Sequence, residues 1–350
     1  MKTIRIGQHA VGEGHPCYVI AEAGVNHNGR LDLAKQLVEV AADAGVQAIK
    51  FQKRTVRDIL IQEALEEPYD KIGSFGATYG EHREHLELSD GDYRELFKLS
   101  QGLGLTFLAS AWDVRSADFL EELGVPAFKI ASAGLTNIPL IDHISRKGKP
   151  TILSTGMSDL AEVTEAVETV RKHHDELVLL QCTSLYPTNN DQIHLRVMET
   201  LRREFEVLVG YSGHERGIAI SVAAVALGAV IVERHFTLDR SMPGPDHAAS
   251  LEPHGLKKLV RDIRNIEAAM GSPDKKVLDK ERSVRARLAK SVVARQDIPA
   301  GTRITLDMLT VKGPGTGLPP YYLHRLEGVL APHDIRADTL IPPEAVEWER

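Results

Sequence analysis

The stretch Val230-Ile231-Val232-Glu233-Arg234-His235-Phe236-Thr237-Leu238-Asp239 carries two signals at once. Its first half is short, β-branched and apolar, as a buried strand is. Its second half turns abruptly to charge. Side chains alternate faces along a strand, so Ile231, Glu233 and His235 share one face and Val232 and Arg234 the other. A carboxylate and an imidazole on one face of an apolar strand are costly unless they bind something. Upstream, Val207-Leu208-Val209-Gly210-Tyr211-Ser212-Gly213-His214 repeats the arrangement, an apolar strand ending in Ser, Gly and His. Two successive strands that each deliver a histidine at the same end point to one metal site.

Outward from these strands the chain alternates strand and helix. Predicted strands are Tyr18–Gly24, Ala48–Gln52, Thr106–Ala109, Ala127–Ile130, Thr151–Ser154, Leu177–Gln181, Val207–Tyr211 and Val230–His235. Apolar residues at helical spacing predict helices over Leu31–Ala44, Ser116–Leu123, Ile138–Ser145, Asp159–Arg171, Leu195–Arg203, Ile218–Leu227 and Gly255–Met270. Eight strands alternating with helices, the long connection after the second strand standing in for one of them, imply an α/β fold with a closed parallel (β/α)8 barrel. An open doubly wound sheet is the alternative, but no Gly-x-Gly-x-x-Gly follows any strand. The connection Arg54 to Leu88 is long for this pattern and reads as a lid or binding loop. After Gly271-Ser272-Pro273 the pattern changes. The expected organisation is a barrel over 1–272, a charged and helical linker over 273–290, and a small β-rich domain over 291–350. A domain of that size buries a modest core and gains stability by docking.

Composition narrows the function. The 350 residues are 43% hydrophobic and 26% charged, as in soluble globular proteins. A net charge of −7 argues against nucleic acid or an anionic membrane as the main partner. No apolar run reaches membrane-spanning length, and Met1 to Gly7 lacks the apolar core of a signal peptide. The two cysteines, Cys17 and Cys182, lie in strand-like stretches and suit a reducing cytoplasm.

Catalytic residues of such barrels gather at the carboxyl ends of the strands. Those ends carry Glu22, Lys50 with Gln52, Lys129 with Ser132, Ser154, Ser212 with His214, and Glu233 with His235. Closure sets the last strand beside the first, so Glu22 neighbours His235, with His214 one strand away. Two imidazoles with few other ligands leave positions open for water and substrate oxygens, which suits Mn²⁺, Mg²⁺ or a catalytic Zn²⁺. Two ammonium groups among neutral donors make a phosphate or carboxylate site. A Schiff-base lysine, or a lysine neutralised by Glu233, are the alternatives. Glu22 reads either as a general base or as a partner that orients the metal site.

At this point a resemblance enters. Ile20-Ala21-Glu22-Ala23-Gly24-Val25-Asn26-His27-Asn28-Gly29, Lys50-Phe51-Gln52 and Phe128-Lys129-Ile130-Ala131-Ser132 resemble motifs of the sialic acid synthase family. So do Ser154-Thr155-Gly156-Met157, Gln181-Cys182-Thr183-Ser184-Leu185-Tyr186-Pro187, Gly210-Tyr211-Ser212-Gly213-His214 and Glu233-Arg234-His235-Phe236-Thr237-Leu238-Asp239. Lys290-Ser291-Val292-Val293-Ala294 through Asp307-Met308-Leu309-Thr310-Val311-Lys312 is similar to that family's antifreeze-like (SAF, β-clip) domain. The resemblance implies condensation of phosphoenolpyruvate with open-chain N-acetylmannosamine, its 6-phosphate or a related hexose, giving a nine-carbon 2-keto acid and phosphate. It implies phosphoenolpyruvate contacts at Lys50, Gln52, Lys129, Ser132, Ser154 and Ser212, and sugar contacts at Tyr186 and Asp246. It further implies divalent-metal ligands at His214 and His235, with Mn²⁺ or Mg²⁺ as cofactor, and acid–base work at Glu22; Glu233 joins these as a candidate catalytic residue. A cytoplasmic homodimer with exchanged C-terminal domains is also implied.

Many bacterial members carry Lys-Arg-Pro-Gly in the antifreeze-like domain, where this chain has Lys312-Gly313-Pro314-Gly315. That departure, with Tyr79-Gly80-Glu81-His82-Arg83 and the stretch Ile218 to Ala229, resembles the animal-type branch, which takes a 6-phosphorylated sugar. Synthases of three-deoxy heptulosonate or octulosonate lack the C-terminal domain. A non-catalytic carbohydrate or ice binder would have no use for so many ionisable groups at strand ends.

Overall fold

Along each barrel strand the inward-facing residues begin apolar and end polar, and this gradient positions everything that follows. The computed structural model describes residues 2–70, 73–341 and 343–345. Residues 342 and 346–350 of the expected second domain lie outside the described residues, as do 71 and 72 of the long connection. The chain divides into two units, Met1–Gly271 and Ser272–Arg350.

The first unit opens with an antiparallel hairpin, β1 (Thr3–Ile6) and β2 (His9–Gly12). Eight strands follow: β3 (Tyr18–Gly24), β4 (Ala48–Lys53), β5 (Thr106–Ala111), β6 (Phe128–Ile130), β7 (Thr151–Ser154), β8 (Leu177–Cys182), β9 (Leu208–Gly213) and β10 (Ile231–His235). They close in sequence order, with β10 hydrogen-bonded to both β9 and β3. Every pairing is parallel, so this is the expected (β/α)8 barrel.

Around it run α1 (Leu31–Ala44), three short helices α2 (Val56–Ile59), α3 (Gln62–Glu66) and α4 (Tyr79–His85), then α5 (Asp90–Gly102) and α6 (Val114–Leu123). The ring continues with α7 (Ile138–Ser145), α8 (Leu160–Arg171), α9 (Val197–Phe205), α10 (Ala219–Ala226) and α11 (Pro253–Met270). Outward strand residues such as Val19, Ile49, Phe107, Leu153 and Val232 bury against this ring in one large core. Inward residues form a second core: Ile20, Ala48, Leu108, Ala127, Ile152, Val178, Leu208 and Ile231, stoppered below by Ile4, Ile6 and Val11 of the hairpin. Two residues further along the same inward faces come Glu22, Lys50, Ser110, Lys129, Ser154 and Glu233, and four beyond Val178, past Leu180, comes Cys182.

The long connection between β4 and α5 is built rather than slack. Thr78 and Glu81 form a reciprocal cap on α4. The Tyr69 ring packs against Tyr79 and His82, and the Phe75 ring stacks on His82 and His85.

In the second unit α12 (Arg282–Leu288) precedes the antiparallel pair β11 (Ser291–Ala294) and β12 (Leu309–Lys312). Its core comprises Val292, Ile298, Ile304, Leu309, Leu318, Leu326, Ile335 and Ile341. Within the charged stretch expected to be helical, only 282–288 forms an α-helix, preceded by a 3₁₀ turn at Asp279–Glu281. Leu278, Val284 and Leu288 are exposed there. A short helix without an apolar face to bury is marginal on its own. No helix among the described residues is long and apolar enough to cross a membrane.

Candidate active site

Neighbouring strands bring the polar ends of the inward faces into register. His235 lies opposite Glu22, Glu22 opposite Lys50, Ser110 opposite Lys129, and Ser212 opposite both Cys182 and Glu233. The result is a cavity of about 270 Å³ at the carboxyl end of the barrel. Every site residue singled out from the sequence lines it: Glu22, Lys50, Gln52, Lys129, Ser132, Ser154, Tyr186, Ser212, His214, Glu233, His235 and Asp246.

The floor is a buried charge network. Lys50 Nζ donates to Ser110 Oγ at 2.7 Å and lies 2.7 Å from Glu22 Oε2. Lys129 Nζ donates to Ser154 Oγ at 2.8 Å and to the Ile130 carbonyl at 3.2 Å. One carboxylate oxygen, Glu233 Oε1, faces both ammonium groups, at 3.8 Å from Lys50 and 3.7 Å from Lys129. Glu22 Oε1 accepts from Gln52 Nε2 at 2.9 Å.

The two carboxyl groups are pushed apart. Burial, opposed by Lys50 and helped by Glu233, raises the Glu22 pKa to about 7. Burial also works against ionised Glu233, but Lys129 and Lys50 outweigh it and hold its pKa below the usual range. At neutral pH Glu233 is therefore ionised while Glu22 holds or releases a proton. Burial lowers the Lys129 pKa, an effect that Glu233 opposes. With Glu22 protonated, the single carboxylate of Glu233 faces two ammonium groups and the floor is net positive, a setting for an anion.

The histidines face each other across β9 and β10, ring centroids 5.4 Å apart. His214 Nδ1 lies 2.7 Å from the Thr183 carbonyl oxygen, which can only accept. Nδ1 therefore donates there, and Nε2 is the nitrogen left to face a ligand; burial works against a charged ring, but Cys182, the Thr183 carbonyl and Glu233 outweigh it and raise the His214 pKa. Burial lowers the His235 pKa to about 4, so this ring is neutral at physiological pH. Its Nδ1 is buried without a hydrogen-bond partner, and Asp246 Oδ2, at 3.6 Å, is too distant to be one. Glu233 Oε2 is likewise buried and unpartnered. Among the described residues no three or more His, Cys, Asp or Glu side chains surround one point. These residues fit a divalent ion that takes its other ligands from water or substrate.

Two glycines make room. Gly24 has φ of 55°, and a Cβ there would lie 3.3 Å from both His235 Nδ1 and Asp246 Oδ2. A Cβ on Gly156 would lie 2.8 Å from Ser132 Oγ, which accepts from the Gly156 N–H. The Tyr186 ring packs 4.0 Å from the His214 ring, and the residue remains 49% exposed at the cavity mouth.

Behind the histidines lies a feature that the sequence did not single out. Arg234 follows Glu233 onto the outer face of β10 and pairs there with Glu215, Nη1 to Oε1 at 2.7 Å, with both side chains at most 1% exposed. Arg234 Nη1 also donates to the Gly217 carbonyl and Ser221 Oγ, both at 2.8 Å, and Tyr211 OH donates to Glu215 Oε2 at 2.7 Å. Arg234 adjoins His235 and Glu215 adjoins His214, so one buried ion pair ties the two histidine-bearing segments together. The Asn26-His27-Asn28 motif is a second brace. Asn26 Nδ2 donates to the Phe236 carbonyl and Ser250 Oγ, and Asn28 Nδ2 to the Pro243 carbonyl. His247 Nε2 lies 3.1 Å from Asn28 Oδ1, which fastens the loop that carries Asp246.

Comparison with known proteins follows the same lines. The NeuB family matches over residues 37–275. The chain belongs to the NeuB family. A SAF domain matches over residues 289–347. Over 339 residues this NeuB-family chain is 44% identical to mouse N-acetylneuraminate-9-phosphate synthase, covering 96% of this chain and 94% of that protein. It is 41% identical to the N,N'-diacetyllegionaminic acid synthase of Legionella pneumophila, covering 96% of each. The solved N-acetylneuraminic acid synthetase of Leptospira borgpetersenii superposes with a TM-score of 0.72 at 33% identity, over 81% of this chain and 95% of that one.

Proposed function

We propose that the barrel condenses phosphoenolpyruvate with an open-chain N-acylmannosamine, its 6-phosphate or a related hexose, releasing phosphate and a nine-carbon 2-keto acid. The chain is a phosphoenolpyruvate-dependent synthase that forms a carbon–carbon bond. One observation carries this reading: two fully buried ammonium groups, Lys50 and Lys129, share a cavity floor with two histidines held ready for an ion. The names of the animal, Legionella and Leptospira relatives support it.

Lys50, Lys129 and the hydroxyls of Ser132, Ser154 and Ser212 bind the phosphate and carboxylate of phosphoenolpyruvate, while Tyr186 and Asp246 hold the sugar. His214 and His235 would hold a divalent ion, Mn²⁺ or Mg²⁺, which would supply Lewis-acid polarisation of the acceptor's aldehyde oxygen. The enol carbon then bonds to the aldehyde carbon, water adds at the cation left on C2, and phosphate departs by carbon–oxygen cleavage. Glu22, poised near neutrality, gives its proton to the aldehyde oxygen and takes one back from the attacking water. Ionised Glu233 keeps both lysines in place.

The working assembly in this reading is a homodimer in which the SAF domain of one chain serves the barrel of the other. Two free, buried cysteines support a cytoplasmic location. Phosphate release from phosphoenolpyruvate, measured with and without EDTA against a panel of hexosamines and their 6-phosphates, tests the function. Mass spectrometry should find an acceptor-dependent nine-carbon product. Phosphate release that no acceptor stimulates would overturn the reading.

A further inference from the structure

Behind the cavity floor a chain of polar contacts runs from Glu22 out to the long connection, and the reaction proposed above uses only its inner end. Glu22 Oε1 accepts from Gln52 Nε2 at 2.9 Å, and Gln52 Oε1 accepts from Arg54 Nη2 at 2.5 Å. Arg54 Nε lies 2.8 Å from Glu87 Oε1, close as an ion pair though not aligned as a hydrogen bond. Glu87 Oε2 accepts from the Arg54 backbone N–H at 3.3 Å. Arg54 and Glu87 stand at the two ends of the long connection, so their contacts close its stem. Among the described residues, Glu22 and Gln52 belong to the wall of the reaction cavity, whereas Arg54 and Glu87 do not.

The Arg54 side chain is fully buried, and its guanidinium lies over the Trp112 ring at 4.7 Å. Burial, chiefly, lowers its pKa; Glu87 opposes the effect and Arg83 adds to it. An arginine keeps its charge under such pressure and has no acceptor to offer. The backbone of Gln52 is fixed independently, its carbonyl accepting from Tyr93 OH at 2.6 Å. The open question at Gln52 is which way its amide faces. A flip of the amide exchanges an acceptor for a donor. A guanidinium only donates, so the amide oxygen must face Arg54 and the NH₂ group must face Glu22.

We infer that Arg54 is a positioning residue for the acid–base step: it locks the Gln52 amide with its nitrogen toward Glu22, and Glu87 anchors Arg54 in that place. One amide hydrogen goes to Glu22 Oε1, and the second is left over. Without Arg54 the amide is free to turn its oxygen toward Glu22 and set two acceptors against each other. Glu22 then loses the donor that aims Oε1, although Lys50 at 2.7 Å still holds Oε2. The inference rests on the condensation proposed above and deepens it, because it gives the stem of the long connection a task at the reacting atoms.

The test is a cycle in kcat on the full-length protein, with phosphoenolpyruvate and the best acceptor of the panel above: parent, Arg54→Met, Gln52→Leu and the double variant. Arg54→Met should lower kcat about 10- to 100-fold, as the loss of one hydrogen bond to a charged group does. KM for phosphoenolpyruvate should move less, since Lys50, Lys129 and the serines remain, and so should Mn²⁺ affinity by calorimetry. The double variant should match Gln52→Leu alone, since Arg54 acts through that amide. Should Arg54→Met not fold, Arg54→Lys carries the cycle. It keeps a cation beside Glu87 but lacks the planar fork that also reaches Gln52, so it should melt closer to the parent and still lose kcat. Losses that multiply in the double variant, or parental kcat in the folded Arg54 variants, overturn the positioning role and leave Arg54 a clamp on the stem. Failure of phosphoenolpyruvate turnover in the parent with every acceptor overturns instead the reaction on which the inference rests.

Discussion

The Arg234–Glu215 pair makes a demanding prediction because both charges are fully buried and every alternative partner is visible. In Arg234→Met the Glu215 carboxylate would keep only Tyr211 OH at 2.7 Å and Ser221 Oγ at 3.3 Å. In Glu215→Gln the guanidinium would keep the carbonyls of Gly217 and residue 215 and the Ser221 hydroxyl, with no anion nearby. Stranding one member of a buried pair costs about 3–5 kcal/mol. At about 2–4 °C per kcal/mol for a domain near this size, each single variant should melt roughly 6–20 °C lower. The double variant Arg234→Met/Glu215→Gln removes both charges and should be more stable than the sum of the single losses predicts, by about 2 kcal/mol or more. Denaturant titration of the four proteins completes the cycle. Because the pair braces the segments bearing His214 and His235, each single variant should also bind Mn²⁺ about 10- to 100-fold more weakly by calorimetry. Single variants that lose less than about 1 kcal/mol, or a double variant equal to the sum, would refute the argument that this bridge is a structural clamp.

Three further predictions follow from the cavity and its surroundings. His235→Ala should lose most bound Mn²⁺ and most activity, since one imidazole remains of two; full activity in metal-stripped enzyme would contradict the assignment. Lys129→Met removes a buried charge that donates to Ser154 at 2.8 Å and should lower kcat/KM for phosphoenolpyruvate about 10- to 150-fold, from about 1.5–3 kcal/mol per charged hydrogen bond; a change confined to the sugar KM would misplace the phosphate. Burial, aided by Arg54, lowers the His27 pKa from 6.5 to about 3, so below pH 6.5 the unfolded chain takes up a proton that the folded one refuses, and stability falls with pH: the loss at this site between pH 7.5 and 5.5 is about 1.4 kcal/mol, and His27→Asn should lose that much less than the parent over the same range.

Much of the barrel was legible because burial on both faces leaves a plain record. A parallel strand reads as an apolar run, and the residue at which the run turns polar marks the cavity. Glu22, Lys50, Lys129, Ser154, Glu233 and His235 each stand at such a turn. Helix starts were less legible. Asp113 caps α6 by accepting from the Ser116 N–H, which begins the helix at Val114 rather than at the expected Ser116. The linker's charge pattern predicts a helix but gives it no apolar face to bury, and only 282–288 forms one. What stayed hidden depends on contacts between distant residues. Nothing near Arg234 marks Glu215 as its partner, and Arg54, Arg83 and Trp112 come from separate segments that only the closed barrel gathers.

The arrangement around the barrel mouth sets an anion site and an imidazole pair on different sides of one cavity. Lys50 and Lys129 rise from β4 and β6, with Ser110 of β5 between them, while the histidines follow β9 and end β10 on another side of the ring. In the proposed reaction, phosphoenolpyruvate seated on the lysine floor would have its enol carbon facing an acceptor whose aldehyde lies at the histidines. Its phosphate would be neutralised by its own ammonium groups, away from the ion held by the imidazoles, while the reacting carbons meet between them.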